Sequence, residues 1–312
     1  MSASARVAAI DIGTNSVLLV IAAAGAGGVQ PLLERATITR LGEGVDKTRQ
    51  LAPSAVERNL ACLRAYAEDL RAHGRPRLDV VGTSALRDAQ GAQAFLDEAE
   101  QILGARPRVI AGEEEARLTF RGALSGLSLS GKLLVFDVGG GSTELIVGDA
   151  DAPARPKSRV SLDIGSVRLF ERYVRSDPPA AQELAAIEAQ IAEQLSSAAP
   201  LSALEDGAQV TLVGVAGTVT TLKALELGLS AYDGARVHGA VLTLSAVEEL
   251  CARLAALPLE QRQRLPGLEP KRADVIVAGA LIARDLVRRA GASQLVVSDR
   301  GVRFGLLEGL ID

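Results

Sequence analysis

Two related α/β halves are what this sequence predicts, and three observations carry the prediction. An Asp at the end of an apolar run, followed by a glycine turn and a hydroxyl residue, occurs twice. The first copy is Asp11-Ile12-Gly13-Thr14-Asn15-Ser16, entered from Val7-Ala8-Ala9-Ile10. The second is Asp137-Val138-Gly139-Gly140-Gly141-Ser142-Thr143, entered from Leu133-Leu134-Val135-Phe136. Each copy is followed by a returning β-rich stretch and then by helical periodicity, the alternation of an α/β fold. At 312 residues the chain also exceeds what one core usually organises. The halves are expected to divide near 125–131, giving 1–125 and 126–301, with the closing segment 302–312 packing back onto the first half.

The elements follow in order. Residues 7–10 and 17–21 read as a hairpin and 31–40 as a further strand. Pro53 opens a helix whose apolar positions Val56, Leu60, Leu63, Ala67 and Leu70 recur at helical spacing and which stops near Gly74. Residues 78–81 are β-like, 88–103 form a helix ending at Gly104, and 108–110 are a short strand. Residues 112–124 form a helix with Glu113, Glu114 and Glu115 in its first turn, where acidic residues complement the dipole. In the second half 133–136 and 145–147 repeat the hairpin, and 149–159 is a turn containing Pro153 and Pro156. Asp177 is expected to cap a helix with Pro178 at its first position, running to about Ser197. A strand over 209–213 leads into Gly214-Val215-Ala216-Gly217-Thr218-Val219-Thr220. Ser245 and Glu248 make a capping box for the helix through Ala256. A long helix over 270–290, a strand over 294–297 and a helix over 302–311 complete the chain.

Composition narrows the function. Aromatic residues make up 3% with no Trp, which argues against stacking platforms for single-stranded nucleic acid. A net charge of −4 gives no general attraction to polyanions, so an anionic ligand needs local arginines or a metal. Neither a nucleic-acid nor a membrane partner is expected. No basic stretch followed by a long apolar run opens the sequence, and no apolar run reaches membrane-spanning length, so the cytoplasm is the expected address. Cys62 and Cys251 read as small apolar fillers, and His73 and His238 show no metal-ligand spacing. The repeated motif itself is more telling. Strand, tight turn and returning strand gather backbone N–H groups and a hydroxyl, which suits a phosphate. An Asp beside a phosphate repels it unless a cation lies between, and Mg2+ is the usual bridge. Two such loops facing across a cleft would hold a phosphate chain from both sides.

Three segments, taken in order, resemble the Ppx/GppA family of exopolyphosphatases and guanosine pentaphosphate phosphohydrolases. They are Ala9-Ile10-Asp11-Ile12-Gly13-Thr14-Asn15-Ser16, Val109-Ile110-Ala111-Gly112-Glu113-Glu114-Glu115-Ala116-Arg117-Leu118 and Phe136-Asp137-Val138-Gly139-Gly140-Gly141-Ser142-Thr143-Glu144-Leu145. The resemblance runs from residue 7 through 307 and implies two RNase H-like domains of the actin/Hsp70/sugar kinase superfamily flanking a central cleft. It implies hydrolysis of terminal phosphoanhydride bonds in inorganic polyphosphate, assisted by Mg2+, with Mn2+ as the alternative ion. It assigns Glu115 as catalytic base and Glu144 as a partner positioning metal or water. The pattern of three adjacent glutamates does not choose among them; the resemblance does. Asp11, Asp137 and Glu144 are implied as metal ligands. Gly13, Thr14, Asn15, Ser16, Gly139, Gly140, Gly141, Ser142 and Thr143 would cradle phosphates, joined by Gly217 and Thr218. Arg87, in Thr83-Ser84-Ala85-Leu86-Arg87, and Arg303 are the implied anion contacts. A homodimer is implied on the same ground.

Related readings stay open at this point. Hydrolysis of guanosine pentaphosphate uses the same phosphate chemistry, and transfer of phosphate from polyphosphate to ADP is open to the same superfamily. A sensor that binds polyphosphate or a guanosine alarmone without turnover is the non-enzymatic alternative. Three departures from relatives bear on these. Gly214-Val215-Ala216-Gly217-Thr218 replaces an Ala-Ser-Gly-Gly-Thr-like run, Phe304 stands where relatives usually have Glu, and the helical region that long relatives append is not seen after Asp312. Arg284 and Arg288, four apart on the long helix, read as a solvated face in preference to a polyphosphate track.

Overall fold

Both faces of the first strand are buried, which fixes it in the interior of a sheet. In β1 (Arg6–Ile12) every residue from Val7 onward is buried, as expected of a strand covered on two sides. It pairs antiparallel with β2 (Ser16–Gly25), which pairs in turn with β3 (Gly28–Ile38). On its other edge it pairs parallel with β4 (Arg77–Gly82), which pairs with β5 (Arg108–Val109), so the order is β3-β2-β1-β4-β5. The structure, a computed structural model, describes residues 6–25, 28–198, 201 and 210–311.

The helices of this part are α1 (Val45–Thr48), α2 (Pro53–Ala72), α3 (Ser84–Asp88), α4 (Gln93–Leu103) and α5 (Gly112–Leu124). Leu60, Leu63, Tyr66 and Leu70 of α2, with Phe95, Leu96 and Ala99 of α4, cover Ala8, Ile10 and Ile12 on one face of the sheet. The helix expected over 88–103 starts only at Gln93, because Asp88 ends α3, Ala89 is extended and Gly91 takes a left-handed φ of 70°. A residue at such a φ interrupts a right-handed helix.

The second part repeats the plan. Its strands are β6 (Lys132–Val138), β7 (Thr143–Asp149), β8 (Ser158–Leu162), β9 (Thr211–Val215), β10 (Val241–Thr243) and β11 (Gln294–Val297). The order β10-β11-β9-β6-β7-β8 reproduces the first sheet strand for strand, with β10 added at one edge. The helices are α6 (Ser166–Tyr173), α7 (Ala181–Ser196), α8 (Ala216–Glu226), α9 (Gly234–Val237), α10 (Leu244–Ala256), α11 (Leu259–Arg262) and α12 (Ile276–Arg289). Their apolar faces, with Phe136, Leu145 and Val297, form one continuous core.

Several local expectations change here. α7 starts at Ala181, and its first turn is tied down by Glu183, which accepts the Ala180 amide at 2.9 Å. Asp177 caps a different helix: its carboxylate accepts the Leu259 amide at the start of α11 and the Arg262 guanidinium at 3.2 Å. Thr243, not Ser245, caps α10, its hydroxyl accepting the Ala246 amide. The long helix starts at Ile276, after a short 3-10 turn at Pro270–Arg272. β9 spans Thr211–Val215; Gln209, where the strand was expected to begin, lies outside the described residues. α6 had no counterpart in the sequence reading, since eight residues are too few for periodicity to register.

After the second sheet the chain forms α13 (Val302–Ile311). Val302, Phe304, Leu306 and Leu307 pack with Val7, Ala9, Val20 and Val81, covering the second face of the first sheet. Two units therefore exist, one of residues 1–122 with 302–312 and one of 123–301. Cys62 and Cys251 are free and buried in separate units, and burial pushes the Cys251 thiol up to about 12, leaving it inert. Among the described residues no helix is long and apolar enough to cross a membrane.

α13 lies so close to α5 that a Cβ at Gly305 would collide with the Leu118 backbone. Gly305→Ala should therefore lower stability by about 2 kcal/mol, the typical cost of overpacking a tight contact. The urea midpoint measures it, and an unchanged midpoint would contradict this packing.

Candidate active site

In the first unit the expected residues gather at the carboxyl ends of the parallel strands β1, β4 and β5. The Gly13 amide donates to Ser16 O at 3.0 Å, closing the turn after Asp11. The Thr14 carbonyl accepts the Gly42 amide, and the Asn15 carbonyl accepts those of Thr39 and Arg40. Asp11 and Asn15 are buried. Thr83 ties the next strand to the loop by donating its amide to Ile12 O at 3.2 Å.

Arg87 on α3 and Glu115 on α5 meet directly. Arg87 Nη1 lies 2.5 Å from Glu115 Oε2 and donates to Ile110 O at 3.0 Å. Glu115 is 8% exposed, so the pair is a shielded one in which the guanidinium holds the carboxylate in place. A guanidinium has five donors, which leaves Arg87 able to face an anion as well. Glu114 instead pairs with Arg108 at 2.9 Å, with both side chains substantially exposed, as its position in the first turn suggested.

The second unit assembles a related loop from β6 and β7. The Gly139 amide donates to Ser142 O at 3.0 Å, matching Gly13 and Ser16. The Gly139 carbonyl accepts the Ser166 amide, and the Gly140 carbonyl accepts those of Val167 and Arg168, all from the start of α6. Gly165 permits this approach, because a Cβ there would strike the Gly140 and Gly141 backbone. Asp137 and Glu144 are direct cross-strand partners. Like charges placed so are unfavourable unless a cation lies near them. Ser161 orients Glu144 by donating to Oε1 at 2.8 Å. Among the described residues no group of three or more His, Cys, Asp or Glu gathers as a metal site. This unit thus offers two carboxylates, which fits a Mg2+ completed by water and phosphate oxygens.

Three expected anion contacts are placed differently. Thr143 is fully buried and donates its single hydroxyl proton to Ile164 O at 2.6 Å, so it braces the loop from inside. Thr218 donates to Val138 O at 3.1 Å, joining the start of α8 to the end of β6. Arg303 pairs with Glu34 at 2.6 Å and lies 5.4 Å above the Phe304 ring, and that ring fills the core behind the first sheet. Arg288 is half exposed and pairs with Glu248, in keeping with a solvated face, whereas Arg284 is largely buried between Glu188 and Asp285.

Arg272 and the start of α6 were missed in the sequence. The Arg272 guanidinium lies where a Cβ on Gly217 would be, at the start of α8. The Arg272 amide donates to Glu269 O at 2.8 Å. Desolvation lowers the guanidinium from its usual range, and Glu269 and Tyr232 offset part of that by charge. Lys271-Arg272 was visible as a basic pair, but nothing in the sequence tied it to the glycine turn.

The sequence profile of the Ppx/GppA phosphatase family matches residues 20–312. The chain belongs to the Ppx/GppA phosphatase family. It is 42% identical over 315 aligned positions to exopolyphosphatase 2 of Mycobacterium tuberculosis, covering 96% of this chain and 97% of that one. The crystal structure of an exopolyphosphatase from Cytophaga hutchinsonii matches this Ppx/GppA protein with a TM-score of 0.89 at 25% identity, covering 98% of each chain. The Aquifex aeolicus family member matches with a TM-score of 0.80 at 33% identity, covering 98% of this chain and 97% of that one. The doubled sheet order is therefore the two-domain α/β fold of the Ppx/GppA family.

Two substitutions test this construction of the Ppx/GppA loops. Gly165→Ala should push α6 off the loop and cut phosphate release at least tenfold while the far-UV circular dichroism stays native. Ala216 has a left-handed φ of 67°, which costs a side-chain-bearing residue about 1 kcal/mol. Ala216→Gly should raise the melting temperature, and a lower one would contradict the strain.

Proposed function

We propose that this Ppx/GppA protein is an exopolyphosphatase that removes the terminal phosphate of inorganic polyphosphate by hydrolysis. The observation that carries the hydrolytic reading is Glu115, a buried carboxylate held at 2.5 Å by Arg87. The substrate class rests on the names of the relatives. Glu115 takes the proton of a water as its oxygen attacks the terminal phosphorus. The P–O bond opposite breaks, and the shortened chain leaves as an anion. Phosphoryl transfer of this kind needs positioning and charge stabilisation more than covalent participation. Arg87 and the amides of the Gly13 turn in the first unit, and Arg272 and the amides of the Gly139 turn in the second, are the groups suited to phosphate oxygens. Asp137 and Glu144 in the second unit, and Asp11 in the first, are each suited to hold Mg2+. The ion would neutralise phosphate charge there. A homodimer and a cytoplasmic address belong to the same reading.

Guanosine pentaphosphate hydrolysis is the second reading, and one observation favours it. Tyr232 is 56% exposed, an aromatic face open to solvent in the unit that also carries Arg272 and the Gly217 turn. A nucleobase could stack on it.

Phosphate release from medium-chain polyphosphate and from guanosine pentaphosphate, measured side by side with Mg2+, separates the two. Release chiefly from polyphosphate is expected. Glu115→Gln should lower it by roughly 10²–10⁴-fold, the usual worth of a general base, with an unshifted melting curve. Near-native turnover in that variant would remove Glu115 from the role. ATP appearing from ADP and polyphosphate in place of free phosphate would move the protein to phosphotransfer.

A further inference from the structure

The donors of the second glycine loop are set by peptide planes, and one side chain controls the last of them. A trans peptide points its C=O and the following N–H in opposite directions. The carbonyls of Gly139 and Gly140 face the start of α6, so the amides of Gly140 and Gly141 face away from it. The next peptide joins Gly141 to Ser142. Among the described residues no backbone amide donates to the Gly141 carbonyl. It accepts Arg168 Nε at 2.6 Å, from a side chain only 7% exposed. A guanidinium donor on a carbonyl is charge-assisted and roughly twice as strong as a neutral hydrogen bond. The other end of the guanidinium has Asp163 at 3.8 Å, whose side chain is 82% exposed, so water screens that contact.

We infer that Arg168 is a positioning residue for phosphate binding: through the Gly141 carbonyl it aims the Ser142 amide into the cradle. The inference rests on reading this loop as the phosphate cradle. Arg168 touches no phosphate itself. It reaches back from the first turn of α6, the helix whose amides already hold the two preceding carbonyls, so one helix start sets three successive donors. Without Arg168 the Gly141–Ser142 peptide is the one free to flip, and a flipped plane turns a carbonyl oxygen, an acceptor, toward the phosphate.

The test is calorimetric binding of inorganic tripolyphosphate with Mg2+, for the native protein, Arg168→Lys and Arg168→Met, with melting curves on the same samples. Arg168→Lys should bind about tenfold more weakly, the worth of one charged hydrogen bond, and Arg168→Met more weakly still. A role confined to stability would lower the melting temperature and leave affinity unchanged in folded protein; that result overturns the inference. Should Arg168→Met fail to fold, native affinity in Arg168→Lys overturns it equally. A native protein that binds tripolyphosphate yet releases no phosphate defeats the proposed hydrolysis and leaves the Arg168 comparison intact. Absence of binding by the native protein overturns both.

Discussion

A peptide group has two ends, and holding one aims the other. Both glycine turns of this protein rest on that constraint. Segments outside each turn occupy its carbonyls: residues 39–42 in the first unit, the start of α6 in the second. The amides are then oriented by the fold itself, so an anion bound there would need no reorganisation of the loop. Loops of this composition would otherwise be among the most mobile parts of a chain, since glycine has the largest conformational freedom to lose. The order is imposed by hydrogen bonds from neighbours and by close backbone approach.

Helix α5 depends on a similar arrangement at the side-chain level. α5 brings Glu115 to the carboxyl ends of the strands, but a carboxylate at 8% exposure needs a counter-charge to stay ionised there. Arg87 supplies it and is itself anchored on the Ile110 carbonyl. In the second unit the acidic pair Asp137 and Glu144 has the opposite character. Two carboxylates face each other across a hairpin, an arrangement that favours a cation. One unit thus presents an acid already balanced by protein, the other a pair suited to an ion.

Much of this was legible in the chain. The two Asp-glycine-hydroxyl turns, their entering strands and the helix carrying Glu115 follow from local pattern, because hairpins and amphipathic helices are set by neighbours in sequence. What could not be read depends on distant partners. Asp177 has the chemistry of a helix cap and is one, but for α11, more than 80 residues away in sequence. Thr143 and Thr218 look like phosphate ligands until their hydroxyl protons are found on Ile164 and Val138. Arg272 gains meaning only once its packing against Gly217 is seen. The start of α6 is the largest omission, since its eight residues build half of the second loop.

The return of α13 to the first sheet has a consequence for biosynthesis. Domains generally fold as they emerge, the earlier one first. Here the strands of the first unit are made early, yet one face of their sheet has only Ile110 and Leu118 beside it until residues 302–311 appear. Val7, Ala9, Val20 and Val81 therefore lack the partners Val302, Phe304, Leu306 and Leu307 while the whole of the second unit is translated. The second unit, contiguous over 123–301, can close its core as soon as it leaves the ribosome. The unit that is made first is finished last, and a nascent chain of this protein carries an open apolar surface for most of its synthesis.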